Sequence, residues 1–78
     1  MTITVLFFGM LAEETQTSIL ELNTNSIRLS DFEKEVLDLF PKLKNMSFKI
    51  AVNETFANGE VELTSKSKVA FLPPFAGG

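Results

Sequence analysis

The residues best suited to chemistry stand together at the end of the chain: Pro73, Pro74, Phe75, Ala76, Gly77 and Gly78. A closing diglycine alone is weak, because at a glycine frequency of about 7% chance supplies it in roughly one chain in two hundred. Its setting gives it weight. A strand-like run, Lys68 to Leu72, feeds straight into a proline pair, after which the side chains dwindle to none. Two prolines cannot continue a sheet ladder and favour stiff polyproline II, which throws the tail outward from the body. Six extended residues reach about 20 Å, long enough to enter the active site of another protein. Gly77 and Gly78 lack a Cβ, so a narrow channel can close around their backbone. The carboxyl of Gly78, with an ordinary pKa of about 3.3–3.7, is ionised at neutral pH and free to attack an activated phosphate. Once adenylated it is an acyl group with a good leaving group, which a sulfur nucleophile can displace. The competing reading is an unused tail, but idle tails tend to be polar and charged.

The remainder of the chain has little chemistry of its own. Across 78 residues there is no His, Cys, Trp or Tyr, so the usual nucleophile, general base and phenol are missing. A metal site would have to be made of carboxylates, and no close run of Asp offers one. Autonomous catalysis, a bound cofactor and a metal are therefore not expected. A formal net charge of −3 argues against nucleic acid, which would want a basic face. Lys42, Lys44 and Lys49, then Lys66 and Lys68, read as solvated surface. The apolar run from Ile3 to Leu11 is too short to span a membrane and lacks a preceding positive charge. The expectation is a single cytoplasmic domain with a small core, a body over residues 1–72 and a tail over 73–78.

That tail needs a body to carry it. Residues 2–8 are β-branched and aromatic and predict a strand; Glu13 to Gln16 suits a turn, and Ser18 to Leu22 a second strand pairing with the first. Leu29, Phe32, Val36, Leu39, Phe40 and Leu43 recur at three- and four-residue steps, which places them on one face of a helix. Two helix starts compete: Ser26 as N-cap, which the inclusion of Leu29 in the stripe favours, or Ser30 with Glu33 as a capping box. Pro41 ends the helix or kinks its last turn. Phe48 to Val52 alternates as a strand, Asn53-Glu54 and Asn58-Gly59 are turns, and Lys68 to Leu72 is the last strand. One helix on one face of a mixed sheet of four to five strands is the simplest packing, an α+β fold. Because side chains alternate across a strand, Phe7 and Phe8 point to opposite faces. If the helix covers the face of Phe7 and Phe71, Phe8 and Leu72 lie on the open face with Phe56 beside them, a candidate partner-binding patch. The alternative is a small second core under the loops.

Over essentially its whole length the chain resembles the small subunit of molybdopterin synthase (the MoaD type), a ubiquitin-like sulfur-carrier family. Four segments carry the resemblance: Val5 to Phe8; Leu29 and Phe32 with Leu39-Phe40-Pro41 and Leu43; Ala51-Val52-Asn53; and, most specifically, Val69 to Gly78 with its proline pair and diglycine. The resemblance implies a β-grasp fold. It also implies that an activating enzyme uses ATP to adenylate Gly78, that sulfur transfer makes a thiocarboxylate, and that the tail enters a large catalytic subunit within a heterotetramer. There the sulfur goes to a cyclic pyranopterin phosphate, and the matching positions of Phe8, Phe56 and Leu72 contact the large subunit. Two departures stand out: Ala12 occupies the place of a frequent Arg ahead of Glu13, and Lys66-Ser67-Lys68 replaces a common Gly-Asp turn. Two alternatives remain open, a thiamine-pathway sulfur carrier and a ubiquitin-like modifier joined to lysines through Gly78.

Overall fold

The computed structural model describes residues 1–74. The β-branched and aromatic opening forms strand β1 (Thr2–Phe7), followed by a short helix α1 (Met10–Thr15), strand β2 (Ile19–Asn23) and the main helix α2 (Leu29–Leu39). A 3-10 turn over Pro41–Asn45 leads to β3 (Lys49–Val52), β4 (Thr55–Phe56) and β5 (Lys68–Leu72). The five strands form one sheet in the order β2-β1-β5-β3-β4. Its two central strands, β1 and β5, run parallel, with Val5 beside Val69 and Phe7 beside Phe71. All other neighbours are antiparallel. This is the β-grasp architecture.

Alternation along the central strands decides what is inside. Ile3, Val5 and Phe7 of β1 and Val69 and Phe71 of β5 are buried, and they pack against Leu29, Phe32 and Val36 of α2. Phe7 lies between Phe40, edge-on at 5.5 Å, and Phe71 at 5.5 Å, while Phe48 reaches Phe71 at 5.2 Å. Burying each of these large side chains is worth about 1.5–3 kcal/mol, so this layer supplies most of the stability. The Asn53-Glu54 turn is present as a two-residue hairpin between β3 and β4, both residues having positive φ, 50° and 70°.

Three expectations are corrected. The segment Glu13 to Gln16 is not a simple turn: it ends helix α1, whose Leu11 and Thr15, four apart, are both buried. The Gly9 carbonyl accepts the Ala12 and Glu13 N–H groups, and Thr15 Oγ1 donates to the Leu11 carbonyl at 3.0 Å. Leu39 is not part of the buried stripe and is 53% exposed. It sits at the last position of α2, where Pro41 turns the chain and Phe40 and Leu43 take over the covering of the core.

The third correction concerns the start of α2, where neither proposed cap operates. The N-cap is Arg28, extended and without a side-chain cap. Ser26 instead directs its hydroxyl to Glu35, which Thr24 Oγ1 also reaches at 2.5 Å. The free N–H groups of the first turn are met from a distant segment: Leu29 N–H donates to the Val61 carbonyl at 2.9 Å and Ser30 N–H to Glu60 Oε1 at 3.1 Å. Ser30 Oγ adds a bond to Glu60 Oε2 at 2.8 Å. A carboxylate from another loop thus caps the helix.

The Ser30 hydrogen bonds favour ionised Glu60 and hold its carboxyl below the ordinary glutamate range. A lowered folded-state pKa stabilises above the unfolded value, about 4.3, and that contribution disappears as pH falls through the folded value. Glu60→Gln should therefore lower thermal stability at pH 7 and flatten the loss of stability below about pH 4.3. Melting curves from pH 7 to pH 2 that run parallel for both proteins would contradict the capping role.

Candidate functional site

The face of the sheet opposite α2 is assembled by the strand registers. Ile19 stands opposite Leu6, Leu6 beside Ala70, Ala70 opposite Ala51, and Ala51 opposite Phe56. Those pairings lay one apolar row across all five strands. A second, shorter row lies next to it, with Leu72 paired to Lys49 and Phe8 just beyond the end of β1. Between them runs a trough of about 550 Å3, with Leu6, Phe8, Phe56, Ala70 and Leu72 along it and Asn53, Glu54, Lys66 and Lys68 at its polar end. Phe8 is 45% exposed, Phe56 49% and Ile19 58%. Aromatic and branched side chains exposed in one continuous patch make this face a candidate for contact with a partner.

The structure therefore brings together Phe8, Phe56 and Leu72, the residues expected on the open face. Leu72 is half-buried, so it forms the floor while the two rings form the rim. Leu6 and Ala70 belong to the same surface, as the alternation that places Phe8 and Leu72 there requires. Ile19 and Ala51 join it as well and were not singled out by sequence, because their place depends on which residues pair between strands. Lys49, expected as plain solvated surface, holds its Nζ 5.6 Å from the centre of the Phe56 ring. Such a cation–π contact at an exposed site contributes about 0.5–1 kcal/mol and orients the ring. Lys44 makes only an exposed ion pair with Asp38 at 3.5 Å, of little energetic weight.

The trough ends where the tail begins. Phe8 N–H donates to the Phe71 carbonyl at 3.1 Å, closing the top of the β1–β5 pair. From Leu72 the chain passes to Pro73, which is buried, and Pro74, which is exposed. Phe75, Ala76, Gly77 and Gly78 lie outside the described residues. A polar depression of about 640 Å3 lies elsewhere, beside the start of α2. Its Glu35 carboxylate is already occupied by Thr24 and Ser26, so it serves the fold. Among the described residues no three acidic side chains converge on a possible metal position, and no helix is long and apolar enough to cross a membrane.

Comparison with known proteins gives this arrangement a family. The model of the ThiS family matches residues 5–78. The chain belongs to the ThiS family. Its match runs from the first central strand through Gly78, so the diglycine falls within the family's own span. Solved structures agree on the fold. A putative molybdopterin converting factor subunit 1 from Pyrococcus furiosus is similar with a TM-score of 0.84 at 20% identity, over 94% of this chain and 97% of that one. The small archaeal modifier protein SAMP1 from Haloferax volcanii matches with a TM-score of 0.82 at 16% identity, over all of both chains. A complex of subunits 1 and 2 of molybdopterin-converting factor from Helicobacter pylori 26695 contains a chain similar with a TM-score of 0.71 at 22% identity, again over all of both chains. In this ThiS-family chain, then, an exposed apolar face and the root of a diglycine tail lie next to each other.

The neighbours Phe7 and Phe8 test the division of the sheet into two faces. Phe7→Ala should cost about 3–5 kcal/mol in urea unfolding, the usual range for a large core ring. Phe8→Ala should stay within about 0.5 kcal/mol of the parent, as exposed substitutions do. Similar losses for both would mean that the open face is a second core.

Proposed function

We propose that the chain is the small, sulfur-carrying subunit of a molybdopterin synthase. The observation that carries this reading is the contiguity of docking face and tail: Phe8 and Leu72 line the trough, and Leu72 is followed directly by Pro73 and the run to Gly78. A partner held on that face receives the chain end in its own active site. The Helicobacter pylori complex of two subunits, one of them similar to the whole of this chain, supports a large-subunit partner.

The chemistry resides at Gly78. In an ATP-dependent activating enzyme the Gly78 carboxylate attacks the α-phosphate of ATP, forming an acyl adenylate and releasing pyrophosphate. A hydrosulfide-level nucleophile then attacks the acyl carbon, AMP departs, and a thiocarboxylate remains. Docked on the large subunit in a heterotetramer, the thiocarboxylate sulfur attacks a carbon of a cyclic pyranopterin phosphate and displaces an oxygen substituent. Water then hydrolyses the acyl–sulfur bond, which leaves the sulfur on the pterin and returns the tail to a carboxylate. This chain contributes the reactive end and its presentation. The acid–base groups come from the partner, since the chain has no His and no Cys. Gly77 and Gly78, having no Cβ, keep the end slim enough for a channel.

A second reading is supported by the similarity to SAMP1, a modifier protein. The same acyl adenylate would then be passed to lysine amines of other proteins through Gly78. The two readings share every step up to activation and differ in the acceptor.

The deciding experiment is the intact mass of the full chain after incubation with its activating enzyme, ATP and a sulfur source. Exchange of one oxygen for one sulfur, lost on deletion of Gly78, is the expected result; a ladder of conjugates without any thiocarboxylate would favour the modifier. Gly77→Val should slow activation at unchanged melting temperature, because a branched side chain does not fit where only backbone passed. Phe8→Asp should weaken binding to the large subunit by about 2–4 kcal/mol, the range of a buried interface anchor. Unaltered turnover and affinity in these two variants would oppose the proposed channel and docking face.

A further inference from the structure

The root of the tail is held by a contact that no sequence signal announces. Gly9 follows β1 at φ 58° and ψ −132°, a backbone conformation that L side chains rarely adopt. Its backbone is pinned on both sides. The Gly9 carbonyl accepts the Ala12 and Glu13 N–H groups at 3.1 and 3.2 Å, and the preceding Phe8 N–H is bonded to the Phe71 carbonyl at 3.1 Å. Directly against its Cα lies the ring of Pro73: a Cβ at Gly9 would stand 2.9 Å from Pro73 Cγ and 3.8 Å from Cδ. Pro73 is buried, and its ring is tied to its own backbone, so relief is limited to a change of pucker or a shift of the chain. A Cβ on residue 9 would therefore have to displace the proline ring.

We propose that Gly9 is a positioning residue for the reactive chain end: by having no Cβ it gives Pro73 a seat on the body, and that seat sets the direction in which the chain departs. Pro73 itself thereby acts as the last residue of the body. Only Pro74 to Gly78 remain to span the gap to a partner site, about 16–18 Å when extended. A fixed point of departure beside the docking face lowers the ordering cost of threading the end into a partner. This consequence rests on the proposed activation of Gly78; the seat itself does not.

The test combines a distance with a rate, on the full-length chain. Because the chain has no Cys, spin labels on Lys34→Cys and Pro74→Cys report one unambiguous distance distribution between α2 and the root of the tail. It should be narrow in the parent background and clearly broader when Gly9→Ala or Pro73→Gly is added. In unlabelled proteins both substitutions should raise KM for activation by the ATP-dependent enzyme about tenfold, with kcat within about twofold, as expected when order is lost from the free chain. The Gly9→Ala penalty should be clearly smaller in the Pro73→Gly background, since the clash disappears with the ring and only the strain of a Cβ at φ 58° remains. Leu63→Ala, a core substitution outside the seat, controls for stability and should leave both the distribution and KM at parental values. An unchanged distribution in Gly9→Ala and Pro73→Gly overturns the seat. A broadened distribution with parental KM overturns its role in presenting Gly78, as does a Gly9→Ala penalty that is equally large with and without Pro73. Failure of the parent to be activated at all overturns the functional reading instead, and the distance distribution still decides the seat.

Discussion

The parallel pairing of β1 with β5 is the contact on which the other features of the molecule depend. It joins two strands that lie far apart in sequence and fixes their alternation in phase, Val5 with Val69 and Phe7 with Phe71 on one side, Leu6 with Ala70 on the other. A slip of one residue in either strand would send its core side chains to the open face. The phase therefore fixes two things together. It decides which residues meet α2 and stabilise the fold, and which stay on the open face. It also decides where the tail leaves, because β5 ends beside the end of β1, where Phe8, Gly9 and Pro73 meet.

Specialisation of the two faces follows from their side chains. Under α2 the rings of Phe7, Phe40, Phe48 and Phe71 interlock, and Phe32 is fully enclosed. On the other side Ala51 and Ala70 are small, so the sheet is low at its middle, with Phe8 and Phe56 standing along its border. Low centre and aromatic border make a trough. A chain with few groups able to do acid–base work can still take part in a reaction if it presents one reactive atom, and under the proposed function this sheet is the platform from which the chain end is presented.

Much of this was legible in the sequence where local pattern decides structure. The alternation in residues 2–8 and 68–72, the Asn53-Glu54 turn and the stop at Pro41 each have a short-range cause and appear as expected, to within a residue or two. The open-face placement of Phe8 and Leu72 followed from period two alone. What escaped was set by segments far apart in the chain. Glu60 and Val61 complete the first turn of α2, so the nearby serines that look like caps are free for other bonds. Ile19 joins the apolar row only through its register with Leu6. The positive φ at Gly9 already favours glycine, and the added crowding there arises from Pro73, 64 residues later. Helix α1 was hidden for another reason: six residues are too few for a periodic stripe to stand out.

The claim that one face of the sheet builds the fold while the other meets the partner is tested most directly by backbone amide NMR during titration with the large subunit of molybdopterin synthase. The account predicts that shift changes and broadening concentrate at Leu6, Phe8, Phe56, Ala70 and Leu72, with Lys34 and Asp38 on the exposed side of α2 unaffected. Changes centred on α2, with the open face left at its free-state shifts, would contradict it.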